Sequence, residues 1–214
     1  HMAIWHPFLR VYRDLRARRQ VRKEEKRLAG LNTPFFSNDY VGFKSEIWKE
    51  HLASYAGRDG LRMLEIGSFE GGSALWFVEN ILTGSGSLLT CVDPWHPISK
   101  LRFDHNVRIT GAGDRIRSIR KGSAHALTED LAGERFDIIY VDGSHRASDV
   151  LFDALFSWPL LKPGGMMIFD DYEWRPDLPD AERPKPAIDR FLQMIQAELE
   201  VVEIGFQVLL RKAG

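Results

Sequence analysis

From Leu61 to Lys212 the chain keeps one regular beat, a short apolar run followed by a turn and then a helical stretch. LRMLEIG, SLLTCVD, FDIIYVD and GGMMIFDD read as strands, with RIRSIRKG as a weaker one. GGSALWFVENIL, SKLRFDHNVRI, AHALTEDL and SDVLFDALFSWPLL read as the helices between them, and a last helix covers about Ala187–Leu199. Such alternation imposes a parallel sheet with helices on both faces. The closing strands LEVVEIG and FQVLLRK are too close in sequence for a crossover helix, so they pair antiparallel. The predicted fold is α/β, a doubly wound, mostly parallel, seven-stranded Rossmann-like sheet with an antiparallel last strand.

In an open parallel sheet a ligand sits beyond the carboxyl ends of the strands. Here those ends are acidic: Glu65-Ile66-Gly67, Asp93, Asp142 and Asp170-Asp171. The first strand runs into GSFEGGS, residues 67–73, a glycine-rich turn opening a helix. A dinucleotide-binding turn would carry a second glycine where this chain has Phe69, and a carboxylate at Glu65 would repel a diphosphate. An NAD-binding dehydrogenase is therefore disfavoured. A ligand with a positive group, such as the amino acid end of S-adenosylmethionine, suits Glu65 better. Asp93 is placed to accept from ribose hydroxyls, which either cofactor would offer.

LEIGSFEGGS, CVDPW, the LKPGG turn and the closing hairpin together resemble the class I S-adenosylmethionine-dependent methyltransferases over roughly residues 60–214. The resemblance implies that Glu65, Gly67, Ser68 and Ser73 surround the methionine part of the donor and that Asp93 holds the ribose. It also implies that Gly122-Ser123 lies near the adenine and that Asp142 borders the donor.

Strands four and five, if neighbours, would end about 4.8 Å apart and bring Asp142, Asp170 and Asp171 into one small volume. Three carboxylates there need protonation, a nearby arginine such as Arg146 or Arg175, or a hard divalent cation, with magnesium favoured. The residues alone leave these open. VDGSH paired with FDDY is similar to metal-dependent small-molecule O-methyltransferases that act on macrolide-bound sugars and aminocoumarins. That resemblance implies a metal on Asp142, Asp170 and Asp171. It also implies a histidine base at His145, because Ser144 stands where other members carry a carboxylate base. An imidazole can accept a proton at neutral pH. The expected activity is Mg²⁺-assisted methylation of a hydroxyl on a sugar, glycoside or other natural product.

The proline-rich loop from Asp171 to Pro186, with Tyr172 and Trp174, reads equally as a substrate lid or as packing on the sheet edge.

Residues 1–58 are expected to form an arm preceding the methyltransferase domain of residues 59–214. Phe8, Leu9, Val11, Tyr12 and Leu15 recur at helical spacing between about Pro7 and Leu28, followed by a solvated polar half, and a second helix is expected across Ser45–Tyr55. Residues 1–27 hold nine Lys/Arg against three Asp/Glu in a chain of net charge −1. Such a basic arm could attract nucleic acid or an anionic membrane. Its apolar stripe favours packing on the domain or on a second copy, so a homo-oligomer joined through the N-terminal helices is expected. FDDYEW stands where an adenine N-methyltransferase would carry an Asn-Pro-Pro-Tyr-like motif. A single cysteine, Cys91, excludes an intrachain disulfide, and no apolar run is long enough to span a bilayer. The expectation is a cytoplasmic protein.

Overall fold

The structure is a computed structural model that describes residues 6–214, with side chains described from Leu15 onward. Two helices, α1 (His6–Ala29) and α2 (Lys44–Leu52), precede the alternating region. There follow β1 (Arg62–Ile66), α3 (Gly72–Asn80), β2 (Leu88–Val92), α4 (Pro97–Thr110), β3 (Ile116–Ile119) and α5 (Ser123–His125), which continues as a wider turn over Ala126–Asp130. The chain ends with β4 (Phe136–Val141), α6 (Ala147–Ser157), β5 (Leu161–Phe169), α7 (Lys185–Ile195), β6 (Leu199–Ile204) and β7 (Val208–Lys212).

The strands form one sheet in the order β3-β2-β1-β4-β5-β7-β6. The first five are parallel, and β7 runs antiparallel to both of its neighbours. This is the expected doubly wound sheet. Its reversal of strand order falls between β1 and β4, where the glycine turn and Asp142 lie.

Both faces are buried, which is why the strands are almost continuously apolar. Leu64, Ile66, Val92, Ile139, Val141, Met167 and Phe169 face a core built with α5, α6 and α7. Met63, Leu89, Cys91, Ile138, Tyr140, Met166 and Ile168 face a second core that includes Trp48, Leu52 and Tyr55 together with residues of α3 and α4. Trp48 is fully buried, with ring centroids 4.6 Å from Phe77 and 5.5 Å from Tyr140. The α2 segment thus belongs to the same packed body as the sheet.

The polar second half of α1, expected to be solvated, docks on α4 at two positions. Leu28 and Glu24 are buried, and Arg102 Nε donates to Glu24 Oε1 at 2.7 Å. Of the apolar stripe, Phe8, Leu9, Val11 and Tyr12 lie outside the described side chains, and Leu15 is exposed. No helix among the described residues is long and apolar enough to cross a membrane.

Candidate active site

Strand register explains why the acidic residues meet. Glu65 pairs with Cys91 and with Tyr140, and Val141 pairs with Phe169. One or two residues further on, Asp93, Gly67, Asp142 and Asp170 therefore form a row across the tips of β2, β1, β4 and β5. The row is stitched by Gly67 N donating to Val92 O and Asp142 N to Ile66 O at 2.8 Å each, and by Asp170 N donating to Val141 O at 3.0 Å.

Gly67 has φ +92°, and a Cβ there would stand 1.9 Å from the Asp142 carbonyl oxygen. Only glycine fits this position. Two residues later Phe69 takes the left-handed conformation at φ 44°, uncommon for a side chain of its size. It is held there because Phe69 N donates to Asp93 Oδ2 at 2.9 Å and Trp95 Nε1 donates to Phe69 O at 2.7 Å. Asp93 Oδ1 also accepts from Trp95 N at 2.6 Å, so this carboxylate fixes both turns that flank it.

Glu65 is fully buried and does not line the cleft described below. It accepts from Ser73 Oγ at 2.6 Å and from Cys91 Sγ at 3.5 Å, and burial raises its carboxyl above the usual range. Its influence on a ligand would pass through Ser73, which does line the cleft. Gly67, Ser68, Asp93, Ser123 and Asp142 line it as well.

At the β4 and β5 tips, Asp170 is buried and its two oxygens are fully engaged. Oδ1 accepts from Gln207 Nε2 at 3.0 Å and from Asp171 N at 2.9 Å. Oδ2 accepts from Tyr140 OH at 2.6 Å and from Lys44 Nζ. Burial would raise this carboxyl, but Lys44 and the hydroxyl and amide donors outweigh it and hold Asp170 below its ordinary range. Burial tends to lower the Lys44 ammonium, and Asp170 and Asp142 more than reverse that. Asp142, whose Oδ2 lies 4.0 Å from Lys44 Nζ, is pushed well up by burial and by Asp170. The three carboxylates thus have a cation from the chain itself. It comes from α2 and not from Arg175, which pairs with Asp177 at 2.9 Å.

Asp142, His145 and Asp171 make the second cluster. His145 Nε2 lies 2.6 Å from Asp171 Oδ2, and the His145 ring stacks on Trp174 with centroids 4.2 Å apart and planes 17° from parallel. Asp171 turns toward His145 from a left-handed backbone at φ 58°. One ligand atom from each of Asp142, His145 and Asp171 lies within 4.8 Å of the others, and the two carboxylates among them offer oxygen donors that fit a hard divalent cation. Asp170, with both oxygens occupied, stands behind this set. In the proline-rich loop the two aromatics divide: Tyr172 is buried and donates to Asp189 Oδ1 at 2.6 Å, whereas Trp174 faces the site.

A cleft of about 1560 Å³ joins these parts, from the glycine turn and Asp93 to Asp142, His145, Asp171 and Trp174. Its outer wall is the segment Pro34–Lys44, with Phe36, Tyr40 and Phe43 exposed at the mouth. That wall is anchored to the glycine turn, since Ser37 N and Oγ donate to Glu70 at 2.6 and 2.9 Å and Arg102 bridges Glu70 to Glu24.

A family model described as a methyltransferase domain matches residues 64–172, just over half of the chain and the region that builds the row, the turn and the cluster. The chain belongs to this methyltransferase family. Its fold is that of the class I S-adenosylmethionine-dependent methyltransferases. The O-methyltransferase from Bacillus cereus in complex with SAH superposes with TM-score 0.67 at 17% identity, covering 91% of this chain and 90% of that one. Among curated proteins, "Uncharacterized protein R132" of Acanthamoeba polyphaga mimivirus is 28% identical over 69% of this chain and 66% of its own. "O-methyltransferase hkm8" of Aspergillus hancockii is 31% identical over 51% of this chain and 42% of its own. The methyltransferase chain thus spans about two thirds of the first curated relative and less than half of the second.

Three site residues escaped the sequence reading. Tyr140 carries a signal, because a strand places it on the same face as Asp142 two residues later. Lys44 and Gln207 carry none, since each reaches Asp170 from an element whose placement depends on the finished fold.

Proposed function

We propose that this chain transfers the methyl group of S-adenosylmethionine to a hydroxyl of a small-molecule acceptor, with a divalent cation at the Asp142–Asp171 pair. The observation that carries the reading is the single cleft running from the glycine turn to the Asp142–His145–Asp171 cluster. The similar Aspergillus and Bacillus proteins, both O-methyltransferases, support an oxygen acceptor.

In this reading Gly67, Ser68, Ser73 and Asp93, which line the cleft, hold the donor. With Nε2–H donated to Asp171, His145 keeps the Nδ1 lone pair to accept the acceptor's hydroxyl proton. Trp174 fixes the ring plane. When bound, a divalent cation would supply Lewis acidity that lowers the pKa of that hydroxyl. Lys44 keeps Asp170 charged and stationary behind the pair, and the exposed aromatics at the mouth suit an acceptor with an apolar body.

The test is SAH release with a panel of hydroxylated acceptors, with and without EDTA, followed by Mg²⁺ or Mn²⁺ addition. Activity should fall in chelator and return with metal, and His145→Ala should lower turnover by about 10²–10⁴. Full activity in EDTA removes the cation from the mechanism. A wild-type rate in His145→Ala removes the base.

A further inference from the structure

The second half of α1 is fixed to the body along one line. Val21 is half-buried and Glu24 and Leu28 are buried, at spacings that put all three on one side of the helix, and the Arg102 guanidinium holds that side against α4. Arg27, beside this line, stands 4.0 Å from the ring of Phe35 in the outer wall of the cleft. These ties set the rotation of α1 about its own axis, and with it the side that turns away. That side carries Leu15, Arg19, Arg22 and Lys26 at spacings of four, three and four, a row of about 16 Å at 1.5 Å per residue. All four are exposed, Leu15 at 60%, and the flanking Arg18 and Lys23 are exposed as well.

Among the described residues no carboxylate pairs with Arg18, Arg19, Arg22, Lys23 or Lys26, since Glu24 is turned to Arg102 and to Arg27. The row is thus a line of cations without a counter-charge from the chain. Carried back along the sequence at the same spacing, the line that holds Leu15 meets Tyr12, Val11 and Phe8, so the helix is apolar at one end of the row and cationic at the other. Nucleic acid would neutralise the cations and leave the apolar line unused. A second copy of the same row would set arginine against apolar side chains or against arginine, again without a carboxylate. A bilayer with anionic headgroups satisfies both ends, the cations at the level of the phosphates and the apolar side chains just beneath it.

We infer that the outward side of α1 is a docking surface for an anionic lipid bilayer, on which the helix lies in the plane of the headgroups. None of the described residues of α1 lines the cleft, so this surface is separate from the site of the reaction. It is nevertheless tied to it. Arg102 joins Glu24 of α1 to Glu70, and Glu70 accepts from Ser37 in the outer wall, so a protein held on lipid through α1 carries its cleft mouth at a set distance from the bilayer.

Flotation of the full chain with vesicles of phosphatidylcholine alone, and of phosphatidylcholine mixed with phosphatidylserine, at low and at high salt tests this. The protein should float with the mixed vesicles at low salt, remain behind with phosphatidylcholine alone, and lose most of its binding at high salt. Arg19→Gln, Arg22→Gln and Lys26→Gln combined should weaken binding to the mixed vesicles about 100-fold. Leu15→Gln, which leaves the charge unchanged, should weaken it about tenfold. All four positions are exposed, so both variants should melt with the wild type. Absence of flotation with either vesicle, or undiminished flotation of the triple variant, overturns the inference. Displacement of the vesicles by labelled single-stranded RNA, with Leu15→Gln binding as tightly as wild type, assigns the row to polyanions in general and overturns it too. Self-association in the ultracentrifuge that the triple variant loses, without flotation of the wild type, gives the row to a second copy and likewise overturns it.

Discussion

Replacing Lys44 by methionine leaves the volume nearly unchanged and removes what is, among the described residues, the only ammonium that touches Asp170. The Lys44 side chain is 10% exposed and that of Asp170 is 0% exposed, so this is a buried pair. Breaking such a pair by removing one partner costs about 3–5 kcal/mol. Asp170 would keep Tyr140, Gln207 and the Asp171 amide as donors, which places the expected loss near the lower end, about 3 kcal/mol. For a chain of this size that corresponds to a fall in Tm of about 6–12 °C. The sign with pH follows from Asp170 being held below its ordinary value. The pair's contribution is present above the unfolded carboxylate range near 3.9 and is lost as pH falls through the folded value. Urea unfolding of wild type and Lys44→Met should therefore differ most at neutral pH and converge below about pH 4. Asp170→Asn should be destabilising in wild type and much less so, or stabilising, in the Lys44→Met background, a coupling of about 2 kcal/mol. A Lys44→Met protein within about 1 kcal/mol of wild type at pH 7, or equal effects of Asp170→Asn in both backgrounds, would refute the reasoning.

Gly67→Ala would drive a methyl group into the Asp142 carbonyl and should cost about 3 kcal/mol or more, read as insoluble protein or a large loss in urea midpoint. Arg102→Ala should release α1 and the Pro34–Lys44 wall together, so limited proteolysis should accelerate between residues 15 and 43 while the sheet region stays protected. Asp153, raised in the folded state from the ordinary 3.8 to about 6, favours folding below the lower value, and that contribution is lost as pH rises through about 6. At about 1.36 kcal/mol per pH unit the difference amounts to about 3 kcal/mol, and urea titrations of Asp153→Asn should lack that pH dependence.

Much of this arrangement could be read from residue order because both periodicities were strong. The apolar runs from LRMLEIG to GGMMIFDD announce strands buried on both faces, and acidic residues just after them announce a polar rim. The individual roles were less legible, for a geometric reason. Glu65 sits two residues before Gly67, which keeps it on the sheet face covered by α3, between Cys91 and Tyr140, and so under the turn. Asp170 and Asp171 are adjacent in sequence, yet the left-handed backbone at Asp171 sends one toward Lys44 and the other toward His145. Nothing in KSEIWKEHL distinguishes Lys44 from Lys49, which pairs with Glu46 in solvent. The stacking of Trp174 on His145 likewise depends on the course of a loop that has no period to read.

The tie between Lys44 and Asp170 spans 126 positions of the chain, and the bond from Trp48 Nε1 to Gln207 Oε1 spans 159. The helix that carries Lys44 and Trp48 therefore completes its anchorage only when the residue just before β7 is in place. Contacts of such long sequence separation form late and slowly. A folding intermediate with β1 to β5 already paired would still hold Asp170 without Gln207, one of its four donors short.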